Sequence, residues 1–179
     1  ASKIQFFLIL RKTKINMKAH SFILLGSNLG DSKALLKKAV ELMSVKCGKI
    51  MSESRFYESE PWGFKAENNF INQAVMIETD LKPHDLLREL LSIEASLGRL
   101  RHDNVVGYES RPIDLDILYY DDLVVDDIDL ILPHPRLHLR RFALLPLCDI
   151  APDFMHPIFR KTNKVLLKDC IDNSNVSVI

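Results

Sequence analysis

Asp114 and Asp116 stand two residues apart in ESRPIDLDILYYDD, residues 109–122, a run otherwise suited to a buried strand. On a strand, residues i and i+2 share a face, so both carboxylates point one way while Ile113, Leu115 and Ile117 point into a core. Like charges so close repel, and at a partly desolvated site they take up protons unless a cation compensates. Mg²⁺ is such a cation: it takes one or two protein carboxylates and completes its shell with water and phosphate oxygens. The pair could hold one ion or bridge two. The alternative is a solvated sheet face, because an isolated D-x-D spacing is a weak metal signal. The arginines shift that balance. Arg99, Arg101, Arg111, Arg136, Arg140 and Arg141 flank the acidic strand on both sides, with His134 and His138 among them. Guanidinium forks match phosphate oxygens and stay charged at any working pH. An acidic pair set among arginines describes a polyphosphate site; surface pairing of the arginines with Asp121, Asp122, Asp126, Asp127 and Asp129 is the competing account.

A nucleotide here would not be held in the common way. GSNLGD (26–31) has two glycines but no following Lys-Ser/Thr, and neither a Walker A nor a G-x-G-x-x-G pattern occurs. Phosphates must then be gripped by side chains and metal. A second cluster suits a flat heterocycle: FYESEPWGF (56–64) is an aromatic segment leaving a strand through Pro61 and Gly63, NFINQAV places Phe70 and Asn72 on one strand face, and Phe142 follows the arginine pair. Rings can sandwich a heterocycle and an Asn amide can read its hydrogen-bonding edge. Each phenylalanine taken singly reads better as core, and only their combination with Asn72 gives the ligand reading weight.

The elements that must carry these groups follow from periodicity. HSFILLG (20–26) is a central-strand run; Gly26 to Gly30 turns the chain, Asp31 or Ser32 caps a helix, and Leu35, Leu36, Ala39, Val40, Leu42 and Met43 fall at helical spacing. Residues 49–59 and 69–79 read as strands, 83–98 as a helix opened by Pro83 and closed by Gly98, and the acidic run as a fourth strand. Strand, helix, strand, strand, helix, strand is the ferredoxin-like split βαβ order: an α+β sandwich, its antiparallel-rich sheet covered by helices on one face. A hairpin around Asp121 and Asp122, a helix near 136–147 and a tail complete the expectation. With 179 residues, 47% of them hydrophobic, the chain suits one domain, assigned to 17–179, and residues 1–16 read as an extension outside the fold. IQFFLIL followed by RKTKIN is too short to span a bilayer and lacks signal-peptide order. Lys plus Arg equals Asp plus Glu at 24 each, which gives no reason to expect nucleic acid or a membrane as partner. Cys47, Cys148 and Cys170 lack metal-ligand spacing and fit reduced thiols in a cytoplasmic protein.

GSNLGD, FYESEPWG, NFINQAV, LGRLR, SRPIDLDIL and LPHPRLHLRRFALLPL together resemble the 6-hydroxymethyl-7,8-dihydropterin pyrophosphokinase family of the folate pathway, over about residues 20–158. The resemblance implies a ferredoxin-like fold and transfer of pyrophosphate from ATP, leaving AMP, to the pterin hydroxymethyl group. It implies that Asp114 and Asp116 hold two Mg²⁺ ions and act in catalysis with Arg99 and Arg111. Phe70 and Phe142 would stack on the pterin, with Asn72 and the backbone around Ser59 and Trp62 bonding its edge. Arg99, Arg101, Arg111, His134 and Arg140 would hold the triphosphate, and the backbone near Ile117 would meet adenine. ATP and the pterin are then the small-molecule partners, and other folate-pathway enzymes are candidate protein partners.

The chain departs from the family pattern in two places. Glu60 and Trp62 stand where a proline and a smaller apolar residue are frequent, and residues 102–109 are longer than usual and lack the usual tryptophan, with Tyr108 the candidate substitute. A non-catalytic ligand-binding domain on the same scaffold, or a metal-dependent phosphohydrolase using the same aspartates, would share much of this pattern.

Overall fold

A computed structural model describes residues 18–63, 65, 67–99 and 112–179. Its centre is β1 (Ala19–Ser27), the expected run lengthened by one residue at each end. The turn after it leads to α1 (Ser32–Lys46), where the Asp31 carboxylate accepts from the Ala34 N–H at 3.1 Å and so caps the helix. Next come β2 (Lys49–Glu53), β3 (Tyr57–Ser59), β4 (Phe70–Thr79), α2 (Pro83–Ser96) and β5 (Asp114–Tyr120). The main sheet runs β5-β1-β4-β3, with β2 also on β4, and all of these pairs are antiparallel. The α+β ferredoxin-like arrangement therefore holds, with β1 flanked by β4 and β5.

The expected single strand over 49–59 is two strands, β2 and β3. Ser54 causes the break: its hydroxyl accepts from the Ala74 N–H at 2.9 Å, a bond a strand carbonyl would otherwise receive, and Arg55 then turns away from the ladder. The expected helix over 136–147 is likewise divided. A 3₁₀ turn spans Leu137–Leu139, Arg140 is extended at φ −120° and ψ 97°, and α3 runs Arg141–Ile150. The hairpin lies further on than expected. Asp121 and Asp122 form the turn that follows β5, and the paired strands are β6 (Val125–Asp126) and β7 (Ile131–Leu132). The tail contributes α4 (Asn163–Asp169) and β8 (Val176–Val178), the latter pairing with the outer edge of β3.

Helices cover both faces of the sheet, not one. Ile23, Leu25, Val75, Ile77, Leu115 and Ile117 pack against Leu36, Met43, Leu86 and Ile93 of α1 and α2. Phe22, Leu24 and Leu118 pack on the opposite face against Ala143, Leu144 and Leu147 of α3 and Leu166 of α4. This explains why β1 is apolar at nearly every position: both of its faces are buried. A register shift in β5 beside Ile23 lets Leu118 and Tyr119, consecutive in sequence, face the same layer. Among the described residues no helix is long and apolar enough to cross a membrane. The assigned extension 1–16 lies outside the described residues.

Candidate active site

Cross-strand register assembles the floor of the site. Gly26 of β1 pairs with Asp114 on one side and Asn72 on the other, and Asn72 pairs with Tyr57, so Asp114, Gly26, Asn72 and Tyr57 form one row across the sheet. Asp116 opposite Leu24 and Phe70 opposite Ser59 fill the neighbouring rows on the same face. A Cβ at Gly26 would make ordinary contacts with the Asn72 amide oxygen, at 3.4 Å, and the Phe70 ring, at 3.9 Å, and would occupy part of the cleft floor. Above this floor stands the N-terminal end of α3, which brings Arg140 and Phe142, while the segment after β3 brings Glu60 and Trp62. Leu24, Ser59, Phe70, Asn72, Asp114 and Asp116 line the same cleft as those four residues.

Every sequence-predicted pterin residue, Ser59, Trp62, Phe70, Asn72 and Phe142, thus faces one cleft with the acidic pair. Asn72 donates to the Ser59 hydroxyl at 2.8 Å, which fixes the amide plane. The Trp62 and Phe142 rings lie 6.4 Å apart at 57°, and the Arg140 guanidinium sits over both, 5.0 Å from the Trp62 centroid and 5.6 Å from that of Phe142.

Asp114 and Asp116 do point the same way, with Leu115 and Ile117 in the core behind them. Their side chains keep 20% and 33% exposure, open enough to reach a ligand. Each already has cationic company. Arg99 bonds Asp114, and Arg140 Nη1 lies 3.8 Å from Asp116 Oδ2. His134 Nε2 is 3.9 Å from the same oxygen and 3.4 Å from Arg140 Nη1. Burial, then Arg140 and Arg136, push the His134 pKa down to about 4, so its ring is neutral at working pH. Its backbone N–H donates to Leu118 O at 2.9 Å, which ties the segment to β5. Ile117 and His134 also line an adjacent hollow with Asp116, Leu87, Leu130 and Ile131, an apolar pocket one side chain away from the charged one. Arg101, Arg111, Tyr108 and the rest of the 102–109 segment lie outside the described residues.

Glu94 of α2 went unpredicted. Its carboxylate, 2% exposed, accepts from the Leu115 N–H at 2.7 Å and from Arg99 Nη1 at 2.7 Å. It therefore holds the acidic strand between its two aspartates and shares Arg99 with Asp114. Burial opposes the Arg99 charge, but Asp114 and Glu94 outweigh it and keep its pKa above the ordinary value. Helical spacing carried a signal, for Glu94 continues the Leu86, Leu90 row of the apolar face. Burial pushes the thiol pKa values of Cys47 and Cys148 up to about 12 and about 11, leaving neither a nucleophile near neutrality.

Among the described residues no three or more His, Cys, Asp or Glu side chains converge to hold a metal. Two accessible carboxylates fit Mg²⁺ only as a site completed by substrate oxygens and water, which is the manner in which that ion binds beside phosphates.

Residues 22–152 match the family described as 7,8-dihydro-6-hydroxymethylpterin-pyrophosphokinase. The chain belongs to that family. It is 43% identical over 137 residues to the 2-amino-4-hydroxy-6-hydroxymethyldihydropteridine pyrophosphokinase of Porphyromonas gingivalis, covering 76% of this chain and 92% of that one. The Aquifex aeolicus protein of the same name is 39% identical over 140 residues, covering 78% of this chain and 85% of the relative. Wild-type HPPK-DHPS of Plasmodium falciparum superposes with a TM-score of 0.70 at 16% identity, over 85% of this chain and 44% of that one. The pyrophosphokinase chain therefore spans less than half of those two-part proteins, and the superposition bears on the fold alone.

Proposed function

We propose that this pyrophosphokinase-family chain transfers the pyrophosphoryl group of ATP to the hydroxymethyl oxygen of 6-hydroxymethyl-7,8-dihydropterin, releasing AMP, in folate biosynthesis. The observation that carries this reading is the single cleft in which the acidic pair meets both an aromatic, amide-floored pocket and the arginine expected at the phosphates. Family membership and relatives bearing the pyrophosphokinase name support it.

In this assignment Phe70, Trp62 and Phe142 enclose the pterin while Asn72, held by Ser59, bonds its edge. Adenine occupies the apolar hollow beside Ile117, and Arg140, His134 and Arg99 direct the phosphates, with Arg101 and Arg111 assigned to the same task. The hydroxymethyl oxygen attacks the β-phosphorus, the bond from that phosphorus to the α-phosphate oxygen breaks, and AMP leaves with the electron pair. Asp116 accepts the hydroxyl proton. Such transfer needs alignment and charge neutralisation and no covalent nucleophile, which suits a site of carboxylates and arginines. Two Mg²⁺ ions held by Asp114 and Asp116 would neutralise phosphate charge and acidify the hydroxyl. Arg99 would leave Asp114 when the cation arrives and remain paired to Glu94. The Plasmodium falciparum HPPK-DHPS chains are the ground for proposing other folate-pathway enzymes as protein partners. The thiols and the lack of a described membrane-spanning helix agree with a cytoplasmic setting.

One assay tests the reading: ATP, Mg²⁺ and the pterin are incubated with the protein and AMP is measured. Pterin-dependent AMP is the expected result. Phosphate released from ATP without pterin would replace the reading with a phosphohydrolase, and ligand binding without AMP would replace it with a sensor.

A further inference from the structure

The break at Ser54 has a counterpart across the molecule. Arg55, the first residue off the ladder, donates its backbone N–H to Asp149 Oδ2 at 3.1 Å, its Nε to the same oxygen at 2.9 Å and its Nη2 to Asp149 Oδ1 at 2.6 Å. The Tyr57 hydroxyl donates to Asp149 Oδ1 at 2.8 Å and accepts from Arg55 Nη2 at 3.0 Å. One carboxylate thus takes four hydrogen bonds from two residues more than ninety positions away in sequence. Asp149 lies in the last turn of α3, whose first turn carries Phe142; Tyr57 begins β3, which ends at Ser59 and leads to Trp62.

We infer that the Asp149 clasp on Arg55 and Tyr57 is a positioning device for pterin recognition, setting the spacing between the α3 wall and the β3 wall of the aromatic pocket. The inference rests on the proposed function and deepens it. Tyr57 stands in the sheet row that contains Asn72, Gly26 and Asp114, so its hydroxyl ties that row to α3 directly. α3 is a single ten-residue helix with Pro146 between its two ends. Fixing its far end to β3 at Asp149 fixes the angle at which its near end presents Phe142 above Asn72. Most of the nucleotide side is built otherwise. Asp116 and Ile117 lie on β5, Arg99 follows α2, and His134 is tied to Leu118; the clasp reaches the phosphate side only through Arg140, which stands just before α3, and through Asp114, in the sheet row of Tyr57.

The test compares wild type with Asp149→Asn, Asp149→Glu and Tyr57→Phe, all assayed well below their unfolding temperatures. Half-saturation by hydroxymethyldihydropterin is measured in the pyrophosphoryl assay, and binding of Mg²⁺ with a non-hydrolysable ATP analogue is measured by calorimetry. Asp149→Asn should raise the pterin KM on the order of tenfold, since small displacements of a substrate wall cost that much or more, and weaken nucleotide binding, which α3 touches through Arg140, several-fold less than that. Asp149→Glu, which keeps the charge, should recover part of the loss. Trp62 is the one tryptophan in the chain, so its emission should shift in Asp149→Asn if the wall moves. Equal losses for both substrates would mark a merely structural pair and overturn the inference, as would an unchanged pterin KM. Tyr57→Phe, which removes only a hydroxyl, carries the same test if Asp149→Asn does not fold. A wild-type protein making no pterin-dependent AMP would defeat the proposed function, a result separate from either of these.

Discussion

Replacing Glu94 with Gln tests whether this buried carboxylate works for the site or merely fills space. The amide keeps the size of the side chain and can still accept from the Leu115 N–H, now as a neutral acceptor. It removes the charge opposite Arg99, whose side chain is 13% exposed against 2% for Glu94. A hydrogen bond to a charged group contributes about 1.5–3 kcal/mol and a neutral one about 0.5–1.5 kcal/mol. The bond from the Leu115 N–H becomes a neutral one, and the bond from Arg99 keeps its charged donor but loses the opposing charge of a buried ion pair, so the expected loss is roughly 2–3 kcal/mol. For a domain of this size that lowers the unfolding midpoint by roughly 5–10 °C, readable by thermal unfolding without any ligand. A second effect separates function from packing. With Gln at 94, Asp114 is left as the main counter-charge of Arg99, with Asp116 a lesser one, and a cation entering at Asp114 would leave a buried guanidinium without the Glu94 charge to hold it. Binding of Mg²⁺ with a non-hydrolysable ATP analogue should weaken about tenfold, equivalent to about 1.4 kcal/mol, while pterin half-saturation changes little. A Gln variant with the wild-type midpoint and wild-type nucleotide affinity would refute the reasoning. A lowered midpoint with unaltered nucleotide affinity would refute its second half.

Asp114→Asn and Asp116→Asn should each reduce pterin-dependent AMP formation roughly a thousandfold or more, since the developing phosphate charge loses its countering cation, while circular dichroism shows a folded chain. Phe142→Ala should weaken pterin binding roughly tenfold through lost ring contact, with nucleotide binding preserved; equal weakening of both would count against the assigned pocket. Acid should destabilise the fold through His156. Its Nδ1 accepts from the Ile158 and Phe159 N–H groups, each at 3.2 Å, and burial, then His138, lower its pKa to about 4. Because the folded pKa lies below the unfolded value of about 6.5, the unfolded chain takes up the proton first. Stability is then full above pH 6.5 and declines as pH falls towards about 4, by at most about 3 kcal/mol from this group. Denaturant unfolding at pH 7.5 and pH 5 reads the effect, and a His156→Gln variant with an undiminished difference would refute it.

The alternation in PIDLDIL sufficed to place both aspartates on one face, because burial on one side and charge on the other leave a strand little choice of register. Helical periodicity likewise located α1 and α2, and Asp31 capped as its type suggests. What escaped is long-range. Ser54 looks like an ordinary strand residue until its hydroxyl takes the Ala74 N–H. The second helical layer was hidden because β1 reads as buried whether one face or both are covered. α4 and β8 are short, and their place is set by packing on α3 and pairing with β3 more than by local pattern. Asp149 reads as a polar residue near a helix end; only the meeting of α3 with Arg55 and Tyr57 gives it four donors.

The charge arrangement also says how the site can fill. Three carboxylates, those of Glu94, Asp114 and Asp116, stand beside two guanidiniums, those of Arg99 and Arg140, and His134 is neutral. A polyphosphate brings several further negative charges to a place already without positive excess among the described residues. Entry alone would be opposed by the very pair that marks the site. In the proposed mechanism, cations carried in with the nucleotide would relieve the aspartates, which would free Arg99 and Arg140 from neutralising protein and let them neutralise phosphate. The arginines would then be counter-ions twice over, to the carboxylates before binding and to the nucleotide after it. That exchange requires Glu94 to stay behind as the fixed partner of Arg99, and it requires the cation and the nucleotide to bind together more tightly than either does alone.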